Sequence, residues 1–500
     1  MLPPGLPVLP AVRIAGSYLP ADSETGAGGD WFDAVPLSGG RVALVVGDVV
    51  GHGVAASAAM GQLRALLHDR LDETGDVLAA IGAAERMARR ERRAHAATVC
   101  VVVLDPADGT LSVCSAGHPP PLAVNGDAGR YLPAGRSGPL GTGAGYTVTT
   151  DRLGPGEVVL LYSDGIVERP GRAPAAATVE LAQVATHSVA GRAFEHPDLS
   201  TVERLCTQTL ELLVRETGHS DDITLLAAQR VSPPAPLRLS LAADLGALRP
   251  AREAVAKWLH EHDAGHADVE ALAHAIVELV TNAAEHSHPD TLDGTVTITA
   301  ELGTDGVARL GVADDGRWRE RARPGSEEFR RDHGLGLAMT RTLVDELVID
   351  RGEHGTTATV HRRLAHPARL ITTDEIHHGE PRRPEPAPEV LVLLDQPHAA
   401  GNRVAVHGPL DATSCGRLAG ELHRLTLGGT HELTVDLTSV SHLASAAVAV
   451  LHRAAADGRS PGDASAGGAV RLYAPAGSVA HHVLTLVDLP HTTTDPGAGP

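Results

Sequence analysis

The chain has 500 residues, which at about 100–200 residues per domain suggests roughly three domains. Hydrophobic residues make up 43% and charged residues 21%, which excludes a wholly disordered chain, and with aromatics at 2% the cores must be built from Ala, Val and Leu. Against 62 acidic residues stand 42 basic ones, a formal charge of -20 that argues against a nucleic-acid or anionic-membrane partner.

The single lysine is Lys257, and the other basic residues are arginines and histidines. This removes a Walker A loop, whose phosphate-binding residue is lysine, and an ordinary protein-kinase fold, so any ATP site must work without lysine. Cys100, Cys114, Cys206 and Cys415 lie far apart with no Cys-x-x-Cys pair, which disfavours a disulfide framework or a cysteine zinc site and fits a reducing cytosol. The opening Met-Leu-Pro-Pro-Gly-Leu-Pro is not a signal peptide, and the longest apolar runs fall well short of the about 18 residues that span a bilayer. A cytoplasmic protein without a membrane partner is expected.

Two proline-rich stretches, Val231-Ser-Pro-Pro-Ala-Pro and the run from about Ala365 to Glu389, divide the chain. The expected parts are a domain over 1–231, a second over 237–364, a linker over 365–388, a third domain over 389–490 and a disordered tail over 491–500. In the first, strands are predicted at Val42–Val46, Ala97–Leu104, Leu111–Ser115 and Glu157–Tyr162, with a helix from His52 to about Leu71. In the second, helices over about Ala247–Glu261, Ala267–Ser287 and Leu335–Glu346 accompany strands at Thr295–Ala300 and Ala308–Val312. The third alternates strands at Val390–Leu394, Val404–His407, Glu432–Asp436 and Val470–Tyr473 with helices near Ser414–Leu427, Ser441–Ala456 and Gly477–Leu486. The fold class is multidomain α/β.

Four aspartates stand where strands run into turns: Asp30 in Gly28-Gly-Asp-Trp-Phe-Asp, Asp48 in Gly47-Asp-Val-Val-Gly-His-Gly, Asp164 in Tyr162-Ser-Asp-Gly and Asp221 in Ser220-Asp-Asp-Ile-Thr. One Asp-Gly alone is ordinarily a turn. Paired hard cations need several carboxylates plus water, and apolar strands ending in aspartate supply rigid, closely placed ligands for metal-assisted attack on a phosphoryl group. With Ser115-Ala-Gly-His-Pro-Pro-Pro-Leu between them, these motifs make residues 8–230 similar to the SpoIIE-type branch of the metal-dependent PPM Ser/Thr phosphatases. The resemblance implies a layered β-sandwich with helices. It also implies a binuclear Mn²⁺ or Mg²⁺ site held by Asp30, Asp48, Asp164 and Asp221, with the Val49 carbonyl as a backbone ligand and Asp222 as the alternative to Asp221. His118 reads as packed against the proline turn, and His52 is left open.

In the second part, Glu278, Asn282 and His286 recur every four residues on one helical face, where an amide oxygen can hold Mg²⁺ and a carboxylate can orient or deprotonate a nucleophile. Val312-Ala-Asp-Asp-Gly and His333-Gly-Leu-Gly-Leu-Ala-Met follow. An aspartate after a strand can bond an adenine amino group, and glycines before a helix let backbone N–H groups meet phosphates. With Gly355-Thr-Thr, these boxes resemble the GHKL ATPase fold, and most of all the anti-sigma-factor Ser/Thr kinases. The resemblance implies Mg²⁺ on Asn282, Glu278 as base or water-positioning residue, adenine at Asp314, and Gly316, Gly334 and Gly336 around an ATP pocket. His260, His262, His266 and His274 read as a solvated histidine-rich helix end, lacking acidic or cysteine partners.

The third part carries Val435-Asp-Leu-Thr-Ser-Val-Ser-His-Leu-Ala-Ser, which places Ser445 at a helix start where a phosphate would meet free N–H groups, although plain capping is the ordinary role of such a serine. With Gly408-Pro-Leu-Asp-Ala-Thr, it resembles small α/β STAS domains of the anti-sigma-factor antagonist type. The resemblance makes Ser445 the candidate phosphoacceptor, although Ala444 stands where that family usually has Asp and Ala446-Ala447 replaces Ser-Gly. Together the parts predict a phosphatase acting on a phosphorylated STAS antagonist, joined to a kinase-like ATP module, with a sigma factor or anti-sigma factor as a further partner. The competing expectation is a non-enzymatic scaffold that binds a sigma factor or STAS protein under nucleotide control. A sensor histidine kinase ranks last, because no dimerisation helix pair precedes Ala247.

Overall fold

The computed structural model describes residues 5–21, 28–51, 53–135, 137–143, 145–193, 199–215, 217–286, 294–316, 335–352, 355–378, 392–395, 402–426, 431–456 and 470–495, with Pro3. The mixed α/β, multidomain class holds throughout.

The first domain stacks two antiparallel sheets. One contains the strands Val12–Leu19, Ile223–Arg230, Val158–Tyr162, Leu122–Val124 and Gly129–Tyr131; the other contains Trp31–Pro36, Val42–Asp48, Thr98–Leu104, Thr110–Ala116 and Thr149–Arg152. The strand Val42–Asp48 shows why the sequence runs apolar without alternation. Val42, Leu44 and Val46 face the core between the sheets, while Ala43 and Val45 face the helices outside. Those helices are Val54–Thr74 and Val77–Ala88. The first buries Ala56, Met60, Leu63, Leu67 and Leu71 at three- and four-residue spacing and stops at Gly75, whose left-handed backbone returns its N–H to Leu71. On the opposite side, Pro174–Val189 and Thr201–Val214 cover the other sheet.

In the second domain a five-stranded antiparallel sheet lies against the helices Leu248–Glu261 and His266–His286. Its strands bury alternate residues, such as Val296, Ile298 and Ala300, so one face meets the helices. The helix predicted to reach Glu346 covers Leu335–Leu343, and Glu346 instead opens the strand Glu346–Gly352, paired with Gly355–Arg363. Alternating Leu347 and Ile349 carry the two-residue period that ended the helix.

The segment read as the start of a linker is built into the first domain. Ala365–His366 pairs with Leu6–Pro7, Arg369–Leu370 adds a parallel edge to Val12–Leu19, and the short helix Thr373–His378 follows. Ile371 and Ile376 are buried in the first domain's core, and Thr372 and Glu375 cap the helix reciprocally.

The third domain has strands Val392–Asp395, Arg403–Leu410, Leu433–Leu443 and Val470–Tyr473, the last three parallel, with helices Cys415–Leu425, Ser445–Ala456 and Val479–Leu486. Its middle strand runs to Leu443, so Ser441 is a strand residue and the next helix starts at Ser445. Among the described residues no helix is long and apolar enough to cross a membrane.

Candidate phosphatase and phosphotransfer sites

Asp48 ends its strand opposite Thr98, and Asp164 opens a short 3-10 turn just after the strand Val158–Tyr162. The two sheets therefore bring these residues to one rim, where Asp30, Asp221 and Asp222 join them. Gly29 makes the approach possible, since a Cβ there would stand 2.1 Å from the Val49 carbonyl and 3.0 Å from an Asp48 carboxylate oxygen. The Val49 N–H in turn donates to the Gly29 carbonyl at 3.2 Å.

The acids raise one another's proton affinity. Burial and then Asp48 push the Asp30 carboxyl well above its usual range, and burial followed by Asp164 and Asp221 raises Asp48 to about 7. Asp164 is raised as well, by burial and then Glu168 and Asp221. Asp30 is 4% exposed, and its Oδ2 has no hydrogen-bond partner. A buried acid cluster with an orphaned oxygen is costly without a cation, and an all-oxygen donor set suits hard divalent ions. Among the described residues no three potential ligands already converge on a metal position, so the carboxylates would have to close around the ions. His52 lies outside the described residues.

Two residues that the sequence left as an alternative ligand and as a packed histidine, Asp222 and His118, have hydrogen-bonding roles that only the fold reveals. Asp222 accepts the N–H groups of Ala21 at 2.9 Å and Gly29 at 3.2 Å, anchoring the chain on both sides of residues 22–27 and just before Asp30. The neighbouring Asp221 carboxylate accepts the Asp222 N–H at 2.8 Å. His118 joins the two sheets behind the rim: its Nε2 lies 3.1 Å from the Tyr162 carbonyl and its Nδ1 2.8 Å from the Thr98 hydroxyl. The carbonyl can only accept, so Nε2 carries the proton and Thr98 donates to Nδ1. Burial lowers the imidazole to about 4, which fits this neutral tautomer. The Ser115 hydroxyl also holds the His118 backbone, donating to its carbonyl at 2.8 Å.

In the second domain Glu278 and Asn282 follow one another on the helix His266–His286, and the Asn282 amide donates to the Glu278 carbonyl at 2.8 Å. Asp314 ends its strand and accepts the Gly316 N–H at 3.0 Å. Gly336 lies in the helix Leu335–Leu343, whereas Gly334 falls outside the described residues. Glu278 is 4% exposed and faces the third domain. Its Oε2 accepts the Ser445 hydroxyl at 2.8 Å and its Oε1 the Ser445 N–H at 2.7 Å. Ser445 is the first residue of its helix, so a carboxylate of one domain caps a helix of another. The histidines read from the sequence as a solvated helix end without acidic partners are not so: two are buried and one pairs with a glutamate. His262 bonds the Trp258 carbonyl at 2.8 Å, His266 pairs with Glu270 at 3.0 Å, and His274 is buried.

Residues 38–231 match the family model of the Stage II sporulation protein E, and residues 241–362 that of the histidine kinase-like ATPase domain. The crystal structure of the RsbU and RsbW domains of Rv1364c from Mycobacterium tuberculosis is 42% identical and superposes with a TM-score of 0.66, covering 74% of this chain and 99% of that one. The chain belongs to this RsbU–RsbW family. Its first domain is a SpoIIE-type PPM phosphatase domain, and a histidine-kinase-like ATPase domain follows. Protein IcfG of Synechocystis is 28% identical over 266 residues, 46% of this chain. The match spans about two fifths of that relative's length, at 39%.

Proposed function

We propose that the chain is a cytoplasmic partner-switching regulator in which two opposed phosphoryl-transfer activities act on serine in STAS-type domains. The first domain hydrolyses phosphoserine on a STAS antagonist of an anti-sigma factor, the ATPase domain uses ATP as a serine kinase, and the third domain is a STAS domain with Ser445 as its acceptor. The observation that carries this reading is the paired hydrogen bonding of Ser445 to Glu278.

Mn²⁺ or Mg²⁺, when bound at the first domain, supplies water activation and charge neutralisation for phosphoryl transfer. Asp30, Asp48, Asp164 and Asp221, with the Val49 carbonyl, are the residues to hold it. Asp222 fixes the segment bearing Asp30, and His118 fixes the two strand ends beneath the rim. In the ATPase domain Glu278, which accepts the Ser445 hydroxyl, is assigned to take its proton; bound ATP would supply the γ-phosphoryl group to Oγ, with ADP as the leaving group. Asn282 is assigned to Mg²⁺, Asp314 to the adenine amino group, and Gly316 and Gly336, with Gly334, to the pocket walls.

The test is intact-mass and peptide mass spectrometry on the full chain carrying Asp48→Asn, which silences dephosphorylation, after incubation with Mg²⁺ and ATP. One phosphoryl group on Ser445, absent when Glu278→Ala is added, is the expected result. An unmodified Ser445 would remove the kinase assignment.

A further inference from the structure

Around the contact between Glu278 and Ser445 the two domains exchange apolar side chains. Met339, on the ATPase-domain helix Leu335–Leu343, is buried in the third domain's core with Leu443 and Val448. Ala444, immediately before Ser445, is buried in the ATPase domain's core with Ile276 and Leu279. At the same joint the rings of His274 and His442 stand 5.0 Å apart, both buried, and the Nε2 of each lacks a hydrogen-bond partner. Gly336 permits the close approach, since a Cβ on it would meet Glu278 Oε2 at 2.1 Å and Ser445 Oγ at 3.2 Å.

We propose that Ala444 and His442, seated against Ile276, Leu279 and His274 with Met339 entering the facing core, are specificity-determining residues that dedicate the ATPase domain to the STAS-like domain of its own chain. The consequence for phosphorylation rests on the kinase reading above; the docking itself does not. An apolar seat with two uncharged imidazoles selects by shape and rejects charge. A carboxylate at position 444 would enter the apolar core beside Ile276 and Leu279 and next to the Glu278 carboxylate, a costly burial of charge. The covalent connection adds a high effective concentration, so a free partner must compete with a surface that never leaves. The small apolar side chain of Ala444 is the feature that fits this surface to its own ATPase domain.

The test uses full chains in the Asp48→Asn background. Amide hydrogen exchange without nucleotide should show protection of 336–343 and 443–448, and Ala444→Asp should speed exchange there about tenfold or more while other cores stay protected. Met339→Ser, acting from the other side of the joint, should do the same. With Mg-ATP, a chain with both sites intact should phosphorylate its own Ser445 at least about tenfold faster than a Ser445→Ala chain phosphorylates an added Glu278→Ala chain. Unchanged protection in both variants, or equal transfer within and between chains, overturns the proposal. Loss of protection without phosphorylation in any chain upholds the docking and sinks the kinase reading alone.

Discussion

Glu278 Oε1 accepts the backbone N–H of Ser445 at 2.7 Å while Oε2 accepts the same residue's hydroxyl at 2.8 Å. A single carboxylate thus fixes both the start of a helix and the direction of the hydroxyl on it. Glu278→Gln keeps one acceptor oxygen but cannot accept both bonds as a carboxylate does, nor take up the hydroxyl proton at neutral pH. Phosphorylation of Ser445 should fall by about 100-fold or more, in the range of a lost general base, while nucleotide binding measured by calorimetry stays within a few-fold. Wild-type rates in the variant would remove Glu278 from the transfer step.

Crowding of Asp30, Asp48 and Asp164 makes the metal-free phosphatase domain a strained state. Mn²⁺ should therefore raise its melting temperature, by the equivalent of about 2.7 kcal/mol at a hundredfold excess over Kd. Asp48→Asn removes one of the repelling charges, so the metal-free variant should melt higher than the metal-free parent yet gain little from Mn²⁺. Differential scanning calorimetry with and without chelator reads both effects, and a variant that still responds fully to Mn²⁺ excludes Asp48 as a ligand.

Asp222 and Asp221 differ in the backbone groups they hold. Asp222 holds backbone N–H groups, so Asp222→Ala should weaken Mn²⁺ binding by about 10–100-fold through misplacement of Asp30. Asp221→Ala should lose a ligand outright and activity with it, even at saturating metal. If Asp222→Ala abolished activity that excess Mn²⁺ could not restore, and Asp221→Ala did not, the two roles would be exchanged.

His118 is neutral in the fold with its pKa lowered to about 4, against an ordinary value near 6.5 in the unfolded chain. The unfolded state therefore binds the proton more readily, and stability of the phosphatase domain is full above about pH 6.5 and declines as the pH falls toward 4. His118→Ala should cost about 2–4 kcal/mol, because it leaves the Thr98 hydroxyl and the Tyr162 carbonyl without a partner, and should flatten the pH dependence in that window. Urea melts at pH 7.5 and 5.5 decide this, and an unaltered slope in the variant would assign the acid loss elsewhere.

The docked imidazoles predict a second acid effect. Burial lowers His274 to about 4, and burial followed by His274 and Arg252 depresses His442. His274 Nε2 lies 3.9 Å from Glu278 Oε1, but both Glu278 oxygens are engaged by Ser445, and burial prevails. Protons thus favour the undocked state, so docking is full above about pH 6.5 and weakens below it. Exchange protection over 443–448 should be several-fold lower at pH 5.5 than at 7.5, a difference that His274→Phe diminishes.

Much of this arrangement could be read from the sequence, because its signals are local. Asp48 ends an apolar strand and Asp164 follows one, Glu278 and Asn282 share a helical spacing, and Ser445 follows a strand and opens a helix. What the sequence did not reveal depends on distant partners. Asp221 and Asp222 are adjacent acids, and only the folded chain shows which one holds backbone at Ala21 and Gly29. His274 looked like part of a solvated helix end because its neighbour His442 lies in another domain. The segment after Ala365 read as linker on its prolines, although Ile371 and Ile376 were the signal that part of it packs on the phosphatase domain.

The most direct measurement is the occupancy of phosphate on Ser445 in the Asp48→Asn chain, first charged with Mg-ATP, freed of nucleotide and then mixed with the Glu278→Ala chain and Mn²⁺. Mass spectrometry should show phosphoserine at 445 before mixing and its loss, with release of inorganic phosphate, only when both the second chain and Mn²⁺ are present. Phosphoserine that persists with both present, or a chain that never takes up phosphate, would contradict opposed activities meeting at Ser445.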